Sequence, residues 1–224
     1  MTGVTRLLVT TYQLKPERMA QWRQIQAHEV VPALKQAGVP GRTIYRTVIG
    51  NASEMMEVVV LPSFAAFDRP SPLEQVLGAD DASALQARLD ECVLSVTRHI
   101  EHRQDEFHIN PGDAGVLFTS WYRPSPGRSR DYLSFIRAEM WPAVQRARAV
   151  DNISGFSVTV SDKGGETGLY TLNMFYSDFA SLDGPPPVAF ILGPKGTAEF
   201  IAKGAGLITP LGQAVRVRES TLSF

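Results

Sequence analysis

Glu29-Val30-Val31-Pro32-Ala33-Leu34 returns 110 positions later as Glu139-Met140-Trp141-Pro142-Ala143-Val144, and this echo decides the reading of the chain. Two more segments repeat at an offset of 115: Phe64-Ala65-Ala66-Phe67-Asp68 as Phe179-Ala180-Ser181-Leu182-Asp183, and Val76-Leu77-Gly78 as Ile191-Leu192-Gly193. One unit is written twice. The sequence divides into a first repeat at 1–107, a linker at 108–113 containing Asn110-Pro111-Gly112, and a second repeat at 114–224. Each copy must then be a folding unit in its own right.

Around this repeat the chain is ordinary. Of its 224 residues 44% are hydrophobic and 20% charged, enough for a packed core. The formal net charge of −1 supplies no field to attract nucleic acid or an anionic membrane, so neither is expected as a partner. The amino terminus has no basic region leading into an apolar stretch, and no apolar run reaches the roughly 18 residues of a membrane span; a cytoplasmic location is expected. The lone cysteine, Cys92, excludes an intrachain disulfide and reads as a small buried hydrophobe beside Leu85 and Leu89.

Within the first repeat, Leu7–Tyr12 is β-rich, and Pro16 opens a helix with Met19, Trp22, Val30, Ala33 and Ala37 on one stripe. The second repeat matches it with a strand at 116–121 and a helical stripe of Tyr132, Ile136, Met140, Ala143 and Ala147. Pro32 and Pro142 each remove a helical N–H and should kink the helix or widen its turns. Two hairpins follow, 44–49 into 55–61 through Gly50-Asn51-Ala52-Ser53, and 156–160 into 169–176 through Asp162-Lys163-Gly164-Gly165. A short helix, a Pro-rich bend, a second helix (82–94 in the first repeat) and a last strand (96–103 and 214–218) complete each copy. Each half therefore reads β-α-β-β-α-β, the ferredoxin-like order. A four-stranded sheet with helices on one face leaves the other face uncovered. The expected fold is α+β, with two tandem ferredoxin-like βαββαβ repeats packing sheet to sheet as an intrachain dimeric α/β barrel.

The strand-to-helix passage Thr11-Tyr12-Gln13-Leu14-Lys15-Pro16, its echo Trp121-Tyr122-Arg123-Pro124-Ser125-Pro126-Gly127, and the Glu-x-x-Pro segment resemble the dimeric α+β barrel superfamily, most of all the NIPSNAP-type domain. That superfamily includes cofactor-free monooxygenases, isomerases, lactone-forming enzymes, haem proteins such as chlorite dismutases, and members without known activity, so the resemblance constrains fold more than function.

Differences between the repeats mark candidate site residues. Aligned at offsets of 112 and 115, Arg46, Glu57 and His102 stand where the second repeat has Val158, Leu172 and Val217. The hairpin register expected from the turn also pairs Arg46 with Glu57 across the strands. With Tyr12 and Trp121 at the strand ends, these residues are the expected ligand contacts, for a small hydrophobic molecule. Candidate catalytic residues are His102, as a general base, and Glu29 and Glu139, whose place at the margin of the apolar stripe could raise a carboxyl pKa. The alternative for Glu29 and Glu139 is structural, as hydrogen-bonding groups at the helix edge. No metal site is expected, because His99 and His102 point to opposite faces of a strand. No cofactor is expected either; haem stays open on the strength of His102 and the resemblance. The leading functional expectation is binding or conversion of a hydrophobic ligand, monooxygenase- or isomerase-like, without metal or nucleotide. The alternative is a non-catalytic protein that forms homo-oligomers or binds a partner.

Overall fold

The computed structural model describes residues 5–224. They form two compact units. The first contains Thr5–Ile100 together with Val217–Phe224, and the second contains Glu101–Arg216. The tail of each repeat's last strand is thus counted with the other repeat's body.

In the first unit β1 (Thr5–Leu14) pairs antiparallel with β3 (Glu54–Leu61), which pairs with β2 (Thr43–Ile49). The helical passage between β1 and β2 runs through α1 (Met19–Ile25), a π-helical turn (Gln26–Val30) and α2 (Val31–Gln36). Beyond β3 come α3 (Pro72–Leu77), α4 (Ala79–Asp90) and β4 (Val93–Arg103). Ser71 caps α3 in a capping box with Glu74, and Pro72 sits where a helix needs no N–H. The helix expected to reach Leu94 stops at Asp90: Leu94 is exposed in β4, while Cys92 is buried in the core with Leu85 and Leu89 and Val93 packs against it. Burial pushes the Cys92 thiol pKa up, as befits a packed rather than a reactive cysteine.

The second unit repeats the plan. Here β5 (Val116–Pro124) pairs with β7 (Tyr170–Tyr176), which pairs with β6 (Gly155–Lys163). The helical passage is α5 (Ser129–Phe135), a π-helical turn (Ile136–Met140) and α6 (Trp141–Ala149), and α7 (Pro187–Gly204) and β8 (Ile208–Arg218) follow β7. Gly193, at φ 65°, breaks α7 into two pieces. The linker joins the sheet: Ile109 and Phe156 exchange both backbone hydrogen bonds, and Gly155 must be glycine because a Cβ there would lie 2.5 Å from Pro111.

The widening expected ahead of each proline is present in both units. Val31 N–H donates to the Gln26 carbonyl and Trp141 N–H to the Ile136 carbonyl, spans of five residues instead of four. A proline ring clashes with the carbonyl four residues back, and the wider turn accommodates it at Pro32 and Pro142. The helical stripes fall inward as expected, with Trp22, Tyr132, Ile136, Ala143 and Ala147 fully buried. Each unit has its own core: Leu14, Trp22, Ile44, Met55 and Leu222 in the first, Phe107, Tyr132, Ile136, Phe156 and Leu172 in the second.

Candidate functional site

Arg42, just ahead of β2, and Ile44 and Arg46 within it stand at alternate positions, and Ile44 is wholly buried with Trp22. Polar side chains therefore flank a core residue. Arg42 is 3% exposed, and its Nε donates to Glu57 Oε1 at 2.7 Å while Nη2 donates to Gln26 Oε1 at 2.8 Å. The Tyr12 hydroxyl donates to the other Glu57 oxygen at 2.6 Å. Burial, reinforced by the Glu57 carboxylate, drives the Tyr12 phenol pKa far above its ordinary value, so it remains a donor. The Tyr12 ring lies 5.4 Å from the Trp22 ring. Two donors of this group have no partner among the described protein atoms: Arg42 Nη1 and Trp22 Nε1.

A second polar group adjoins the first along β2. Arg46 Nε donates to Glu219 Oε1 at 3.0 Å, and Arg23 pairs with the other oxygen of the same carboxylate. The tail places Glu219. Its N–H donates to the Ile44 carbonyl, Ser223 Oγ accepts from the Ile44 N–H, and Phe224 exchanges two backbone hydrogen bonds with Arg42. Leu222 anchors this segment in the core.

The expected Arg46–Glu57 pair is not formed. Ile44, not Arg46, faces Glu57, and Arg46 faces Met55. The turn retains more residues than its Gly50–Ser53 core suggested, shifting the ladder by two, an even number that preserves the faces and changes the neighbours. The same shift corrects the alignment of the repeats. Since Glu57 faces Ile44 where Leu172 faces Val158, the counterpart of Arg46 is Val160 and the counterpart of Arg42 is Phe156.

With the register corrected, Gln26, Arg42 and Glu57 in the first unit correspond to Ile136, Phe156 and Leu172 in the second, all three in its apolar core. Tyr12 corresponds to Tyr122, because Tyr12 faces Met55 and Tyr122 faces Tyr170.

The other expected residues lie apart from this group. His102 is counted with the second unit, half-buried, with Nε2 3.2 Å from Asp162 Oδ2. A haem held by His102 does not fit: the nitrogen that would bind iron faces a carboxylate at the edge of a strand. Trp121 alternates with Tyr122, which faces the helices, and so lies on the other side of β5, with the Arg216 guanidinium over its ring. Glu29 is exposed and forked onto Arg88 at 2.6 and 2.7 Å, and this hydrogen bonding holds its carboxyl pKa below the usual range rather than above it. Glu139 makes the equivalent contacts with Lys203 at 2.8 and 2.9 Å. Both carboxylates bridge their π-helical turn to the later helix of the same unit, the role of the structural alternative. An open depression of about 490 Å³ in the second unit, lined by Asn110, Asp113, Arg148, Asp151 and Ser154 among others, includes none of the expected residues. Among the described residues no three His, Cys, Asp or Glu side chains gather as a metal set, and no helix is long and apolar enough to cross a membrane.

Gln26, Arg42 and Glu219 were not anticipated, yet two left a trace. Gln26 interrupts an apolar stripe midway between Trp22 and Val30, at spacings of four, and Arg42 continues the alternation of Ile44 and Arg46 back beyond the expected strand start. Glu219 left none, because it lies past the last strand and acts through the fold-back of the tail.

No protein-family model matches the sequence, and the search of curated proteins found no match. Solved structures do match along nearly the whole chain. A protein of Fusobacterium nucleatum described as a "Putative monooxygenase" superposes with a TM-score of 0.64 at 11% identity, covering 97% of this chain and 94% of its own. Another so described, from Lactobacillus acidophilus, gives 0.62 at 9% identity over 96% and 94%. An anthrone oxidase-like protein gives 0.61 at 10% over 97% and 92%. At such identities the likeness shows the fold alone. The chain has the α+β fold of the dimeric α+β barrel proteins, with ferredoxin-like repeats.

Proposed function

We propose that this protein binds a small hydrophobic ligand in its first unit, between the α1–π-turn face and the helix-facing side of β2 and β3. Tyr12, Gln26, Arg42 and Glu57 would be its polar contacts, with Arg46 at the margin. One observation carries the reading: at equivalent positions the second unit packs Ile136, Phe156 and Leu172. Replacing a buried ion pair by apolar residues is usually neutral or stabilising, so the fold itself gives no reason to keep Arg42 and Glu57. Buried charges kept without a structural need mark a candidate site.

The chemistry we infer is conversion without metal or nucleotide, monooxygenase- or isomerase-like. The fold likeness to two proteins each described as a "putative monooxygenase" and to an anthrone oxidase-like protein supports that class. In such a reaction Arg42 would hold a developing oxyanion, Tyr12 would stay protonated as a donor, and the Glu57 carboxylate would orient both. His102 and Trp121 take no part in this reading. The test is incubation of the purified protein with anthrone under air while following oxygen uptake and anthraquinone formation. Turnover above the uncatalysed rate that is lost in Arg42→Lys supports the reading. Turnover unchanged in that variant, or none with anthrone or a panel of hydroxylated aromatics, counts against it.

A second reading, partner binding or homo-oligomerisation, is favoured by exposed apolar side chains on α7, where Phe190 is 47% and Ile201 63% exposed. Sedimentation of the wild type against Ile201→Glu tests it. A monomer in both would remove it.

A further inference from the structure

We infer that residues 219–224, which follow β8 and belong to the first unit, are a latch that opens over the polar layer around Arg42, with Glu219 as its catch. This rests on the ligand-binding reading above, for which the latch supplies the entrance. Arg42 is buried, so a ligand reaches it only when an element beside it moves. Residues 219–224 are that element. The Glu219 N–H donates to the Ile44 carbonyl, the Ile44 N–H to Ser223 Oγ, and Arg42 and Phe224 exchange both backbone bonds. These bonds all meet Arg42 and Ile44, so they break together. Leu222 is the apolar anchor, and its withdrawal vacates a place in the cluster that holds Trp22 and Ile44. The Arg42 side chain keeps its bonds to Glu57 and Gln26 when the segment lifts, so the layer stays assembled.

The second unit fastens the corresponding segment differently. Residues 104–109 make the same crossing: the Gln104 N–H donates to the Val158 carbonyl as that of Glu219 does to Ile44. Phe107 is buried as Leu222 is, and Ile109 pairs with Phe156 as Phe224 does with Arg42. The crossing therefore belongs to the fold. The charged catch does not: Arg23 and Arg46 correspond to Leu133, 110 positions on, and Val160, both packed on the apolar core, and Gln104 stands for Glu219. The catch is also the weaker fastening. The side chains of Arg23 and Arg46 are 42% and 35% exposed, and ion pairs open to solvent contribute little and are screened by salt. Water can hydrate both arginines once Glu219 leaves. The anchor is weaker too, because leucine buries less apolar surface than phenylalanine. A short segment held this way opens locally, well before the unit unfolds.

The experiment follows hydrogen exchange by NMR on the full chain, wild type against Glu219→Gln. The expected result is exchange about fivefold faster at the Ile44 and Phe224 amides, the size of a solvent-exposed ion pair. The buried Trp22 indole N–H should accelerate in step with them. The Gln104, Ile109 and Phe156 amides of the second unit should not change. On the wild type, raising sodium chloride from about 0.05 to about 0.5 M should have the same effect without any substitution. Unchanged rates at Ile44 and Phe224 under both treatments overturn the inference. Faster amides beside an unchanged Trp22 indole overturn it too, because the segment then frays without opening the layer. Equal acceleration of the amides across the β1–β3 ladder means an ordinary loss of stability and also overturns it. The ligand reading stands or falls separately, on anthrone turnover.

Discussion

Between helix and sheet, the first unit places Gln26, Arg42 and Glu57 where the second places Ile136, Phe156 and Leu172. Several features around the two layers are matched: a π-helical turn before a proline, a buried aromatic at Trp22 or Tyr132, and a tyrosine at position 12 or 122. Even the surface clamps are duplicated, Glu29–Arg88 in one unit and Glu139–Lys203 in the other. The layer that differs, Gln26, Arg42 and Glu57 with Arg46 beside them where the second unit has Val160, is where function is to be sought. The second unit is in effect a control, showing what this architecture looks like when packing alone is satisfied.

The comparison can be pressed from its largest effect downward. Phe156→Ala should be the most damaging single change, at about 4 kcal/mol, because it opens a cavity in a core that cannot collapse around it. Arg42→Met, at the equivalent position, should cost about 3 kcal/mol for a different reason: it strands the Glu57 carboxylate. Urea unfolding reads both, and adding Glu57→Leu should recover most of the second loss and none of the first.

The tyrosines give a smaller and opposed pair. Tyr12→Phe removes a donor to Glu57 and should cost about 1 kcal/mol. Tyr132→Phe removes a buried hydroxyl without a described partner and should be neutral or stabilising. The Tyr132 phenol pKa is raised by burial above its ordinary 10.0, so the folded state holds this proton longer than the unfolded one. Its contribution is fully present below pH 10 and is lost as pH rises beyond it, so Tyr132→Phe should flatten the alkaline loss of stability. Alkaline unfolding midpoints measure this. Smallest of all, Glu29→Gln and Glu139→Gln should each leave the urea midpoint unmoved within error, since exposed ion pairs contribute little. A marked difference between these two would break the assignment of both to the fold.

How much of this was legible before the structure follows from where each residue sits. The repeat, the βαββαβ order, the core stripes and the proline-widened turns are local consequences of spacing, and they read directly. Arg46 and Glu57 were legible as exceptions on apolar faces, but their pairing was not, because a register shift of two keeps every face and changes every neighbour. That shift also hid Arg42 by aligning Phe156 with Ile44. Glu219 and Ser223 reach β2 only through a tail that folds back across the whole length of the chain, a contact no local pattern encodes. His102 was read as facing an apolar sheet side, and its contact with Asp162, far along the chain, is likewise encoded by no local pattern.

The most direct test transplants the second unit's layer into the first, as Gln26→Ile, Arg42→Phe and Glu57→Leu together, with Tyr12→Phe to spare the orphaned hydroxyl. Its unfolding free energy in urea should equal or exceed that of the wild type by about 1–4 kcal/mol, because a packed apolar layer replaces a buried ion pair. A loss of several kcal/mol in this variant would contradict the account, by showing that the polar layer holds the first unit together rather than waiting on a ligand.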